Sequence, residues 1–315
     1  DSSPIYTFLW RLLVRPFGNS PGGLLANPFG GGGRISIRSF LHIFNIKANH
    51  RKTIIADKGR EWYAMVSTAN PHDASHANRN VGFRFSGVAV ADLYHSECAV
   101  LKINGVEPSR TGLAIVPQTG DVTVQVVTEG KIKQTVLATI ARTQAGDTID
   151  MILFYLAERE VLAALELAHN RGVNIRIVLD PNKDAFGWTK IGIPNRPVAH
   201  QLNKQGIGIR WADTHGEQCH SKMLCANFKD QTTTIVLGSA NFTRRNLDDF
   251  NLEADVVVSG PSDRKALSDA NKMFNDVWFN HDERIYTVEY EAFAVTSPFQ
   301  HLTYWFMETT GISTF

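Results

Sequence analysis

Apolar positions in the second half of the chain fall into short runs whose period switches between that of a strand and that of a helix. Val122 to Val127 is short and β-branched, which predicts a strand. Over 131–143, Ile132, Val136, Ile140 and Ala141 recur at helical spacing. Ile149 to Tyr155 is an apolar run of the buried-strand type. Val161, Leu162, Leu165 and Ala168 then mark one helix face, and Gly172 stops that helix. Val173 to Leu179 predicts a strand ending at Asp180-Pro181-Asn182, and Ile207 to Trp211 another after the turn-rich stretch 181–197. Strands alternating with helices predict an α/β fold on a largely parallel sheet.

The pattern repeats. His50-Arg51-Lys52-Thr53-Ile54-Ile55-Ala56-Asp57 parallels His220-Ser221-Lys222-Met223-Leu224-Cys225-Ala226-Asn227. Thr68-Ala69-Asn70 parallels Ser239-Ala240-Asn241. Asn80-Val81 and Asn251-Leu252 each open an apolar run ending in Ser-Gly. With 11 histidines, roughly half of one HxK is expected by chance, so two copies with matched downstream asparagines are informative. The first half is placed at 1–120, the second at 121–285, and an extension at 286–315. The second half has strand–helix elements ahead of its motif that 1–49 has no room for. An upstream polypeptide is therefore expected to complete the first half. Gly30-Gly31-Gly32-Gly33 would cradle phosphate only by opening a helix. Arg34-Ile35-Ser36-Ile37 reads as a strand, so a flexible loop is expected there.

Composition narrows the choices. Apolar residues make up 43% and charged residues 20% of 315, ordinary for a globular chain with a real core. The net charge of +1 provides no long-range pull on nucleic acid. Cys98, Cys219 and Cys225 lack zinc-site spacing; the two flanking His220 read as small residues filling a core strand. Phe8 to Phe17 and His301 to Met307 are unusually apolar, with Trp and Tyr beside Arg or His. That composition suits packing on the body of the protein or a peripheral membrane contact.

In a strand, residues i and i+2 share a side, so His50 projects with Lys52 and His220 with Lys222. Two halves related by a pseudo-twofold axis would bring both pairs to one pocket. Two ammonium groups and the amides of Asn70 and Asn241 would hold the non-bridging oxygens of a phosphodiester. One imidazole would attack phosphorus while the other protonates the leaving oxygen. No metal or cofactor is required by this scheme. His72 and His76, in the loop opened by Pro71, read as solvated loop residues or as lining the pocket, His169 and His215 as surface or packing residues, and Glu129-Gly130-Lys131 as a helix N-terminal turn or a headgroup contact.

HxK followed by Asp57 or Asn227, and later by Gly238-Ser239-Ala240-Asn241, resembles the HKD motifs of the phospholipase D superfamily. Asn49-His50-Arg51-Lys52, Ser67-Thr68-Ala69-Asn70-Pro71-His72-Asp73 and Phe154-Tyr155 look like bacterial phospholipase D-like and cardiolipin synthase-like proteins. The resemblance spans about 35–285. It implies two pseudo-twofold-related α/β repeats, each a mostly parallel mixed sheet flanked by helices, with the active site between them. It also implies His50 as nucleophile, forming a phosphohistidine, His220 as general acid, and Glu253 as the carboxylate orienting a catalytic histidine. Glu253 has Gly82 as its counterpart. Asn227 stands where the motif carries Asp, and Ser67-Thr68 where it carries Gly-Ser. The implied activity is a phosphodiesterase or phosphatidyltransferase acting on phospholipids, membrane-associated or extracytoplasmic. A nuclease on the same fold and a non-catalytic membrane-binding scaffold are the rival readings.

Overall fold

The computed structural model describes residues 4–310 except 18, 20–21, 28–32, 44, 60, 111, 186–187, 190 and 295–296. The first half opens with helix α1 (Pro4–Leu9), a π-helical turn (Trp10–Val14), a ribbon of β1 (Leu25–Ala26) and β2 (Arg34–Ile35), and α2 (Ile37–Ile43). The expected strand at 34–37 is thus only two residues long, and Ile37 begins a helix. The glycines 30–32 lie outside the described residues. Strands β3 (Thr53–Lys58), β4 (Glu61–Ser67) and β5 (Gly82–Ser86) form an antiparallel sheet, followed by α3 (Ala89–Ile103).

The second half runs β6 (Thr123–Thr128), α4 (Gly130–Arg142), β7 (Thr148–Leu153), α5 (Arg159–Asn170) and β8 (Asn174–Leu179). A ribbon of β9 (Asp184–Ala185) and β10 (Trp188–Thr189) leads to α6 (Asn195–Lys204) and β11 (Gly208–Ala212). Then come β12 (Lys222–Asn227), β13 (Thr232–Gly238), α7 (Arg244–Leu247), β14 (Ala254–Pro261), α8 (Lys265–Phe279), β15 (Thr287–Glu289) and α9 (Pro298–Thr310). Every strand and helix expected from 122 to 211 forms within two residues of its expected limits.

Eight strands make one mixed sheet in the order β15-β11-β8-β7-β12-β13-β14-β6. The expected parallel character is confined to β7–β8 and β8–β11; every other pairing is antiparallel. The physical reason is connection length. Parallel strands need a crossover such as α5 or α6, whereas the short loop between β12 and β13 permits only an antiparallel return. Apart from the short α7, both halves have the same order of elements from the motif strand on: β3-β4-β5-α3 and β12-β13-β14-α8.

Both faces of the large sheet are covered, which explains the unbroken apolar runs of β7 and β12. Leu224 and Ala226 face α4, α5 and α6, while Met223 and Cys225 face the opposite way. That opposite core also contains Ala64, Val66 and Phe85 of the small sheet, Leu93 of α3 and Phe274 of α8. The two halves therefore share one apolar core, and this fixes how their motifs meet. Strand β3 is the edge of the small sheet, and Ile54 on it is 57% exposed.

Candidate active site

Two reciprocal backbone bridges cross between the halves. The segment entering β3 runs parallel to the segment entering β14, joined by His50 N–H to Leu252 C=O (2.9 Å) and Leu252 N–H to Ala48 C=O (2.8 Å). The segment entering β5 runs parallel to the one entering β12, where Arg79 N–H donates to Gln218 C=O (2.9 Å). Asn78 Oδ1 accepts from Gln218 N–H (2.9 Å), and the Ser221 hydroxyl donates to Arg79 C=O (3.2 Å). Each motif histidine is thereby set against groups of the opposite half.

His50 Nδ1 lies 3.0 Å from both carboxylate oxygens of Glu253. Those oxygens can only accept, so Nδ1 carries the hydrogen and Nε2 is left with its lone pair. His220 Nδ1 lies 2.8 Å from Thr68 C=O and 3.2 Å from Asn80 Oδ1, which assigns the same tautomer. The Phe154 ring packs 4.9 Å from the His220 ring. Burial opposes any charge on His220, and Lys222, Lys52 and His50 add to that, holding its pKa far below the usual imidazole range.

The two lysines lie at the floor of the site. Lys222 is fully buried, donates to His220 C=O (2.8 Å) and stands 5.2 Å from the Phe154 ring centroid. Lys52 is nearly buried and donates to His50 C=O (2.5 Å). Burial lowers the Lys52 pKa to about 8, against the opposing pull of Glu253 and Asp255. Burial and the charge of Lys52 push Lys222 well below the ordinary ammonium range. Glu253 is fully buried; burial raises its pKa, but His50 and the donors Ser239 and Asn246 outweigh that and keep it low.

Of the expected site residues, His50, Lys52, His220, Lys222 and Glu253 are brought together. Asn241 follows β13, 5% exposed, and its buried Oδ1 has no partner. Asn70 lies half-buried in the turn after β4. Asp57 and Asn227 do not join the cluster, which corrects the expectation. Asp57 is exposed near the far end of β3, and Asn227 at the end of β12 accepts from the Thr233 hydroxyl (2.7 Å). At about 3.3 Å per residue, five positions along an extended strand put Asn227 roughly 16 Å from Lys222. Asn227 thus ties the two strands of the hairpin that follows its motif.

Sequence reasoning missed Asp255, Asn246, Asn80 and the Thr68 carbonyl. Asp255 is buried, accepts from Ala240 N–H (3.1 Å), and leaves Oδ2 unpartnered; burial pushes its pKa up to about 8. Its position at the start of β14, two residues after Glu253, was a readable signal, since i and i+2 share a side of extended chain. Asn246 reaches Glu253 from α7 with no regular spacing to reveal it. Among the described residues, no group of three or more His, Cys, Asp or Glu is arranged to hold a metal ion.

Residues 136–278, which include His220, Lys222, Asn241 and Glu253, match the family model described as cardiolipin synthase, PLD-like domain. This segment is similar to phospholipase D-like domains. The fold is shared with phosphatidylserine synthase of Haemophilus influenzae Rd KW20 (11% identity, 80% of this chain and 68% of that one, TM-score 0.52). The chain is also similar to Nuc, a phospholipase D family member from Salmonella typhimurium (21% identity, 53% of this chain and 97% of that one, TM-score 0.41). No curated protein matches the chain in sequence. The mixed α/β architecture is thus that of the phospholipase D fold.

Proposed function

We propose that the protein is a phosphodiesterase or phosphatidyltransferase that acts on phospholipids through a phosphohistidine on His50, without a metal. The observation that supports this most is the pair of imidazoles with free Nε2 atoms, each oriented by the opposite half, above two buried lysines. The Glu253 carboxylate makes the His50 ring electron-rich, which suits the nucleophile. His50 Nε2 attacks phosphorus, the N–P bond forms, and the P–O bond to the leaving alcohol breaks. His220 gives its Nε2 proton to that oxygen. Water or an acceptor alcohol then loses a proton to His220 and attacks phosphorus, releasing His50 and restoring both rings.

His220 has to gain the proton it donates. Burial and the two nearby lysines disfavour an imidazolium there, but a bound phosphodiester anion offsets the lysines' field. Lys52, Lys222, Asn70 and Asn241 then hold the non-bridging oxygens as charge builds there.

A lipid substrate is favoured over nucleic acid by the fate of the nearby arginines. Arg79 is held by Asp213 C=O, Tyr286 C=O and Glu217; Arg244 caps the C-terminal turn of α9, and Arg245 binds Ile46 C=O. None is left to line a groove for a phosphate backbone. Among the described residues no helix is long and apolar enough to cross a membrane, and a peripheral membrane location accords with the lipid reading.

The test compares phosphatidylglycerol with single-stranded DNA as substrates. His50→Ala and His220→Ala should each lower phosphatidylglycerol turnover by about 10²–10⁴. His220→Ala should accumulate an adduct on His50 in acid-sparing intact-mass analysis. Undiminished turnover by His50→Ala would overturn the nucleophile, and equal turnover of DNA would overturn the lipid substrate.

A further inference from the structure

Helix α9 is apolar on both sides. Its inner side packs Tyr304 and Met307 on the core, where Tyr304 donates to Ala157 C=O (3.1 Å), and Thr309 accepts from Arg159 (2.8 Å). Its outer side presents Phe299, Leu302, Trp305 and Phe306, exposed by 69%, 64%, 54% and 51%. A second apolar surface lies on α1 and the π-helical turn, where Phe8, Leu12, Leu13 and Phe17 are 57–71% exposed. Arg11 and Arg15 stand exposed among them, and no acidic residue occurs from Pro4 to Phe17.

These surfaces are tied to one short element beside the active site. Arg244 of α7 donates to the carbonyls of Glu308 and Thr309 (2.9 and 2.8 Å) at the end of α9. Its neighbour Arg245 donates to Ile46 C=O (2.6 Å), and Asn45 next to Ile46 donates to the Thr7 hydroxyl of α1 (2.7 Å). Helix α7 itself lies between Asn241 and Glu253 and supplies Asn246 to the latter. Both apolar helices therefore flank the segment that shapes the catalytic cluster.

We propose that α9 and the α1 turn form a docking face for an anionic lipid surface, which seats the active site at the membrane interface. Aromatic and aliphatic side chains enter the headgroup–acyl boundary, while Arg11 and Arg15 meet anionic headgroups. The all-basic charge of the α1 turn distinguishes this occupant from a neutral apolar partner. The inference rests on the lipid-substrate reading and specifies where the lipid approaches.

The experiment is flotation with phosphatidylglycerol–phosphatidylcholine vesicles, with pure phosphatidylcholine vesicles as a second arm. The protein should float with the first and about tenfold less with the second. The triple variant Phe299→Ser, Leu302→Ser, Trp305→Ser should lose at least about tenfold in vesicle partition while keeping its melting temperature. Arg11→Gln with Arg15→Gln should abolish the preference for anionic vesicles. Hydrolysis of bis(p-nitrophenyl) phosphate, which needs no membrane, should be unchanged in all variants. Absence of flotation, or flotation of the triple variant at the unsubstituted level, overturns the proposal. So does conversion of a dimer to a monomer by the triple variant with vesicle binding unaltered, which makes the face a contact between copies. Flotation without any phosphodiesterase activity supports the docking face and overturns the proposed function instead.

Discussion

Lys52 and Lys222 are both buried, and Lys52 adds to the burial that disfavours charge on Lys222. Lys52 and Lys222 each donate to the carbonyl of their own motif histidine, and the nearest carboxyls, Glu253 and Asp255, act on them through space. Asp255, pushed up to about 8 by burial, is protonated at neutral pH and contributes little negative charge there. A bound phosphodiester supplies the missing anion. The sign of the consequence is fixed: Lys52, lowered to about 8 in the empty site, must be protonated to hold the anion. Affinity for dibutyl phosphate, whose charge is constant in this range, should therefore fall as pH rises through about 8. Tryptophan-fluorescence titrations from pH 6 to 10 check this. Lys52→Met should bind more weakly and lose the inflection; a flat profile for the unsubstituted protein would refute the assignment.

At the scale of elements, the turn after β13 explains both its glycine and the irregularity of the other copy. Gly238 lies opposite Asp255, and a Cβ there would come within 2.2 Å of Asp255 Oδ1 and 2.5 Å of Ala254 C=O. In the first half the space is supplied from the other strand. Ser67 occupies the turn, and its cross-strand partner is Gly82, where a Cβ would lie 3.2 Å from Ser67 Cβ. The glycine has changed strands, which is why Ser67-Thr68 replaces Gly-Ser; by this register Gly82 stands where Asp255 does, and Asn80, reached by the Thr68 hydroxyl as Glu253 is by Ser239, takes the place of Glu253. Gly238→Ala should destabilise by about 1–3 kcal/mol and lower activity, because Ser239 and Asn241 move with the turn. Gly82→Ala should cost less, since the Ser67 side chain can yield by a few tenths of an ångström. Chemical denaturation of the two variants measures the difference. Most of the second half was legible because β7, β8, α4 and α5 carry strong local periodicity. The direction of β12 to β14 was not, since it depends on loop length and partner order. The histidine pairs were legible from repetition alone. Asn80 and Thr68 escaped notice because one acts across the halves and the other through its backbone.

The whole molecule places these parts by giving both halves one core. Leu93 of α3 is fully buried in the same cluster as Met223, Val256 and Phe274 of the second half. The reciprocal bridges, Ala48 and His50 to Leu252 and Arg79 to Gln218, lie over that core and hold each histidine against the other half's acceptors. If the halves were independent units touching at the site, the first would unfold alone, since a three-stranded sheet with α3 and two short helices buries little apolar surface of its own. A shared core predicts instead one cooperative transition in which structure and activity are lost together. Leu93→Ala, more than a strand's length from either motif in sequence, should cost about 2–5 kcal/mol through the cavity it leaves. Its urea midpoint should fall equally when followed by far-ultraviolet circular dichroism, tryptophan fluorescence and residual phosphodiesterase activity. Activity lost at lower urea than secondary structure, in the variant or the unsubstituted protein, would mean that the first half opens separately and that the shared core does not govern the site.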